Sequence, residues 1–154
     1  MCANWADFGF LGTYNEDRGA IPFERFYLGG DGMANYSLDG RETIALRGYE
    51  NQSLSTRDGS TIYNKFSLEL RYPITLKPSA SIYALTFLEA GNGYNSFSDF
   101  NPFNSKRSAG GGVRIFMPAF GLLGIDFGYG FDAANTAEPS PHGWETHFII
   151  GQQF

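Results

Sequence analysis

"LLGIDFGYGFD", residues 122–132, alternates without a break: Leu123, Ile125, Phe127, Tyr129 and Phe131 fall on one parity, and Gly124, Asp126, Gly128, Gly130 and Asp132 on the other. A period of two marks a β-strand. The wet face of a soluble sheet usually carries mixed polar side chains. Here bulky apolar residues alternate with glycines and acids, which suits a strand with lipid on one side and a crowded, wet lumen on the other. For this strand taken alone, a soluble β-sandwich is the competing reading.

Neighbouring segments repeat the pattern. In "NKFSLELRYP" Phe66, Leu68, Leu70 and Tyr72 share one face, and Lys65, Ser67, Glu69 and Arg71 the other. A charged side chain facing lipid at mid-bilayer costs roughly 2 to 4 kcal/mol, so the charged face must look inward. "RSAGGGVRIFMP" sends Ala109, Val113, Ile115 and Met117 outward and Arg114 inward. Its "GGG" has no helix behind it to make a phosphate cradle, so these glycines are read as relieving crowding in a curved sheet. The lumen face then carries Lys65, Glu69, Arg71, Arg114 and Asp126, and Phe127→Arg is expected to be far more damaging than Gly128→Ser.

Composition agrees with strands that are greasy on one face. Aromatic residues make up 17% of the 154 residues and there are 20 glycines, yet mean hydropathy is slightly negative. The net charge of −5 argues against a nucleic-acid partner, which would need clustered Lys and Arg. Cys2 is the single cysteine, so no disulfide forms within the chain. "MCANWADFGF" lacks a basic n-region and a cleavage site, and reads as the start of a strand rather than a signal peptide. "IFMPAFGLLGIDF" is cut by Pro118, Gly121, Gly124 and Asp126, well short of the ~18 apolar residues of a membrane helix.

Six antiparallel strands follow, at about 2–12, 62–73, 80–90, 107–117, 122–132 and 144–154. Short turns, "PITLKPSA" and "MPAFG", alternate with long polar stretches at 13–61, 91–107 and 132–143, the asymmetry of an outer-membrane barrel. The final strand, "WETHFIIGQQF", aligns Thr146, Phe148, Ile150, Gln152 and Phe154 on one parity and ends on an aromatic residue. Membrane barrels close with at least ~8 strands, and an open edge in lipid leaves backbone groups unpaired at several kcal/mol each. Six strands are therefore expected to be part of a larger barrel. "ETIALRGYENQSL", residues 42–54, resembles neither a strand nor a helix and carries an Arg-Gly-Tyr with no phosphate or metal chemistry around it.

The ordered motifs "PFERFYLGG", "LRGY", "SLELRYP", "FLEAGN", "RSAGGGVRIFMPAFGLLGIDFGYGFD" and "HFIIGQQF" closely resemble the C-terminal half of the barrel in the BamA family of outer-membrane assembly factors. The likeness covers nearly the whole chain. It implies an antiparallel transmembrane β-barrel of about sixteen strands, of which residues 1–154 supply the last six. The earlier strands and periplasmic modules would lie outside this sequence. The implied location is the bacterial outer membrane, and the implied activity is folding and inserting β-barrel proteins without enzymatic chemistry, ATP or a bound cofactor. Implied partners are outer-membrane lipid, the remaining strands of the same barrel, client β-barrel proteins and accessory assembly lipoproteins.

Residue by residue, the resemblance makes Arg47, Gly48 and Tyr49 the tip of a long loop, about 13–61, that folds back into the lumen, with Arg47 docking on Glu69 and Glu89. Glu69 points inward by its own alternation. Glu89 shares parity with the apolar Tyr83, Leu85 and Phe87, so its inward placement rests on the resemblance or needs a local bulge. In the last strand, Phe148, Ile150, Gly151 and Phe154 would form a weak lateral seam. Gly151 loosens strand packing there, and the resemblance puts a glycine kink where the barrel opens to a client strand; the rival reading makes Gly151 room for a neighbour.

Other functions fit less well. His142 and His147 are the only histidines; neither has a nameable catalytic partner, their spacing suits no metal site on a helix face, and His147 reads as a wall residue. Glu69 and Glu89 as an acid/base pair compete with a structural carboxylate pair for Arg47, which is the better reading. A passive pore shares the polar interior but has no use for a lumen-plugging "LRGY" loop. The related barrels that secrete proteins rather than insert them are not separated from insertases by these strands.

Overall fold

The computed structural model describes residues 2–11, 25–31, 42–55, 59–77, 80–118, 121–134 and 140–151. Among these residues eight strands are formed: β1 (Cys2–Phe10), β2 (Phe26–Leu28), β3 (Glu42–Ile44), β4 (Ile62–Lys77), β5 (Ala80–Tyr94), β6 (Lys106–Met117), β7 (Gly121–Gly130) and β8 (Gly143–Gly151). Six of them make one antiparallel sheet in the order β1-β4-β5-β6-β7-β8. The sheet is not closed: β1 and β8 are its two edges. The chain is all-β, and among the described residues no helix is long and apolar enough to cross a membrane.

The faces follow the alternation read from sequence. Phe66, Leu68 and Leu70 on β4, Val113 and Ile115 on β6, Ile125 and Phe127 on β7, and Phe148 and Ile150 on β8 are exposed on the outer face. Lys65, Glu69, Arg114, Asp126 and His147 are buried on the inner one, while Arg71 is partly exposed.

The strands differ from expectation in two places. β4 and β5 run on past Tyr72, through a register shift between Pro73 and Thr75, so most of "PITLKPSA" is strand rather than turn. Proline donates no ladder hydrogen bond and is tolerated at such irregularities. In addition, "ETI" at the start of residues 42–54 is a strand: β3 pairs in parallel with β2, Phe26 opposite Glu42 and Leu28 opposite Ile44.

This small ribbon lies against the inner face of the sheet. The buried apolar cluster consists of Leu28, Ile44, Leu46, Tyr49 and Leu54 from the β1–β4 connection, packed on Tyr63 of β4. The core is therefore supplied by a connection folded back on its own sheet, and the sheet keeps its other apolar face outward.

Candidate functional site

The β2–β3 ribbon delivers Arg47, Gly48 and Tyr49 to the inner wall, where all three are buried. Arg47 meets two strands at once: its Nη2 lies 2.7 Å from Glu89 Oε1 on β5, and its Nη1 lies 3.0 Å from Glu69 Oε2 on β4. The backbone amide of Arg47 also donates to Glu89 Oε2 at 2.9 Å. The same Nη1 lies 3.1 Å from Asp126 Oδ2 on β7, so one guanidinium spans carboxylates from three strands.

Glu89 needs no bulge to reach Arg47. The register of β5 is continuous through Glu89 against both β4 and β6, and Leu85 and Phe87 are themselves buried on the inner face while Leu88 is exposed on the outer one. Phe87 points inward, where the loop gives it something to pack against. The guanidinium of Arg47 sits 3.8 Å above the Phe87 ring, a cation–π contact in a desolvated setting.

Each carboxylate has further partners. Asp126 receives both terminal nitrogens of Arg114, Nη2 at 2.6 Å from Oδ2. Glu89 accepts from Ser67 Oγ at 3.1 Å and lies 3.7 Å from Lys65 Nζ. Glu69 pairs with Arg71 Nε at 2.6 Å. Burial by itself disfavours the Arg47 charge, but Glu89 and Asp126 outweigh it and raise the guanidinium's pKa, so the cation is permanent. A cluster so interconnected fixes one geometry, and removing one member leaves the others buried and unmatched.

Gly48 has φ +90°, a left-handed conformation that favours glycine, and its amide donates to His147 Nε2 on β8 at 2.9 Å. Opposite it, a Cβ on Gly128 would stand 2.6 Å from Gly48 N and 2.7 Å from its Cα. Loop backbone therefore lies directly on strand backbone, and the glycine face of β7 is a dry seat for the loop rather than a wet lumen wall. Gly128→Ser therefore carries a steric cost of its own, which the comparison with Phe127→Arg did not include. The inner glycines of "GGG" act similarly: a Cβ on Gly110 would strike Phe87 and one on Gly112 would strike Asp126.

Tyr49 completes the seat. Its hydroxyl donates to the carbonyl oxygen of Arg107 at 2.8 Å and accepts from the Asp132 amide at 3.3 Å. Burial pushes the phenol's pKa up to about 12.

Sequence reasoning did not name Asp126, Phe87 or His147 as contacts of the motif. Asp126 was readable as an inward acid on a strand of glycines, whereas His147 and Phe87 carried no signal of their own. Of the seam residues, Phe148 and Ile150 are exposed on the outer face of the edge strand β8, and Phe154 lies outside the described residues. Among the described residues a Cβ on Gly151 would meet Leu122 alone, at 3.6 Å, an ordinary contact. Among the described residues no group of His, Cys, Asp and Glu is arranged to hold a metal ion.

None of the curated proteins matches the chain. The model of the Omp85 superfamily domain matches residues 5–154, essentially the whole of the sheet and the loop seated on it. This chain, a six-stranded wall carrying its own inward-folded loop, belongs to the Omp85 superfamily, the outer-membrane proteins of protein insertion and secretion.

Proposed function

We propose that the chain is the C-terminal part of the barrel of a BamA-type assembly factor, which folds and inserts other β-barrel proteins into the outer membrane through a weak lateral seam. The observation that carries this reading is the seat of Arg47, Gly48 and Tyr49, whose contacts reach β4, β5, β6, β7 and β8. A barrel built for free passage gains nothing from a buried plug held on this many strands. In this reading Arg47, Gly48, Tyr49, Glu69 and Glu89 are a latch that sets the shape of the wall.

The last strand is the working edge. Edge backbone groups left unpaired in lipid cost several kcal/mol each, so a client strand that pairs with them is held by the hydrogen bonds it satisfies, a form of β-augmentation. In this reading Gly151 is the hinge in that edge, because glycine loosens strand packing. Function then resides in an unstable seam and needs no catalytic side chain. Client barrels, accessory lipoproteins and the remaining strands of the barrel are the partners this reading requires.

The test is reconstitution of the full-length protein in liposomes with an unfolded β-barrel client. Client that becomes heat-modifiable and membrane-embedded supports the insertase. Client that crosses into the lumen without embedding supports the secretion branch of the superfamily instead.

A further inference from the structure

The connection between β5 and β6, residues 95–105, "NSFSDFNPFNS", contains a single ionisable residue, Asp99, and three phenylalanines. It does not project straight out from the end of the sheet. Asn64 and Asn92, on the same parity as the outward Phe66 and Leu88, hold its backbone: Asn64 Nδ2 donates to the Pro102 carbonyl at 3.3 Å and to Ser105 Oγ at 3.0 Å, and Asn92 Nδ2 donates to the Asn104 carbonyl at 2.8 Å. The Tyr94 hydroxyl lies against the carbonyls of Asn101 and Asn104. On β1, Phe10 stacks on Phe97 at 5.8 Å and meets Phe100 edge-on at the same separation. The loop is thus built onto the outer face of the sheet, continuous with the aromatic contact between Phe8 and Phe66 just below it.

Two of its rings remain largely open: Phe103 is 96% exposed, and Phe97, which rests one face on Phe10, is 66% exposed. Their level follows from strand geometry. With strands tilted by about 40°, each residue advances about 2.5 Å along the membrane normal, so an apolar band about 25 Å tall takes about ten residues. On β4 that is the stretch from Phe66 to Leu76, and the next outward residue, Asn64, is the one that holds the loop.

We propose that residues 95–105 are a membrane-interface anchor, folded onto the lipid-facing side of the sheet so that Phe97 and Phe103 rest at the headgroup level of the outer leaflet. The proposal rests on the membrane reading of the sheet and extends it to a connection that would otherwise be assigned to water. Aromatic rings on a polar frame with a single carboxylate, Asp99, suit the interface, where one end is wet and the other apolar. The lipid occupant is argued from continuity: the exposed rings extend the same outer surface as Phe8, Phe10 and Phe66, with no charged side chain intervening between Phe97 and Phe10.

The experiment places a benzophenone-bearing phenylalanine analogue at position 103, and separately at 97 and 127, in the full-length protein in cells, and identifies the photoproducts. Lipid adducts at 103 or 97 together with 127 are expected. A lipid adduct at 127 with none at 103 and 97 puts the loop in water and overturns the anchor while the membrane sheet stands. Protein adducts at 103 and 97 overturn it in favour of a partner surface. No lipid adduct at any of the three positions overturns the membrane reading and the anchor with it.

Discussion

The amide of Gly48 is bound to His147 Nε2 at 2.9 Å, which joins the tip of the folded-in loop to the edge strand β8. His147 accepts this hydrogen bond, so its ring proton sits on Nδ1. Replacing it with leucine leaves a buried amide without an acceptor, at a cost of about 1 to 3 kcal/mol. His147→Leu should speed hydrogen exchange at Gly48, and unchanged exchange would show that the contact does not hold the loop.

Arg47→Ala should release the loop while the sheet persists. It takes the Arg47 charge away from Glu69 and Glu89, which keep Arg71 and Lys65 as partners, so the effect should stay below the roughly 3 to 5 kcal/mol of a buried pair that loses its one partner. Arg47→Lys restores charge but not the planar fork that reaches three carboxylates, and should recover only part of the protection. Limited proteolysis of residues 12–24 and 32–41, alongside a heat-modifiability gel for the barrel, reads both effects. Equal cleavage in parent and alanine variant would count against a latch.

Phe127 and Gly128 are adjacent yet should fail in different ways. Phe127→Arg puts a cation on the lipid face at about 2 to 4 kcal/mol and should impair folding into membranes with the loop still seated. Gly128→Ser forces a side chain into loop backbone, an overpacking cost of about 1 to 3 kcal/mol or more, and should unseat the loop in a folded barrel. Proteolysis and membrane-folding yield, measured on both variants, separate the two. A fully protected loop in Gly128→Ser would contradict the dry seat.

Docking of Tyr49 should weaken at high pH. A pKa raised to about 12 in the folded state means that the seated phenol holds its proton more tightly than a free one, whose value is about 10. The contribution is therefore complete below pH about 10 and is lost as pH rises through about 12. Loop protection should fall across that window in the parent, and Tyr49→Phe should lose that component of the pH dependence. An identical alkaline profile in both would place the titration elsewhere.

Gly151→Val tests the seam at a position where a Cβ is in ordinary contact with Leu122. The variant should fold into membranes normally and insert clients poorly. Normal insertion would remove the hinge role from Gly151.

The sequence by itself determined the six strands of the main sheet and the faces of β4, β6 and β7. An alternation such as Ile125, Asp126, Phe127, Gly128 leaves no freedom, because adjacent side chains in a strand point to opposite sides and only one side tolerates lipid. It also placed Glu69 inward. Tertiary structure alone decided the direction of Glu89 and the purpose of the glycines. On β5 the residues Leu85, Phe87 and Glu89 share a face, and by local pattern two apolar side chains outvote one acid. They face inward because a connection from residues far away in sequence brings Arg47 to lie over Phe87 and between Glu69, Glu89 and Asp126. A strand pattern reports what each side chain prefers next to lipid or water; it carries no information about a loop that replaces the water.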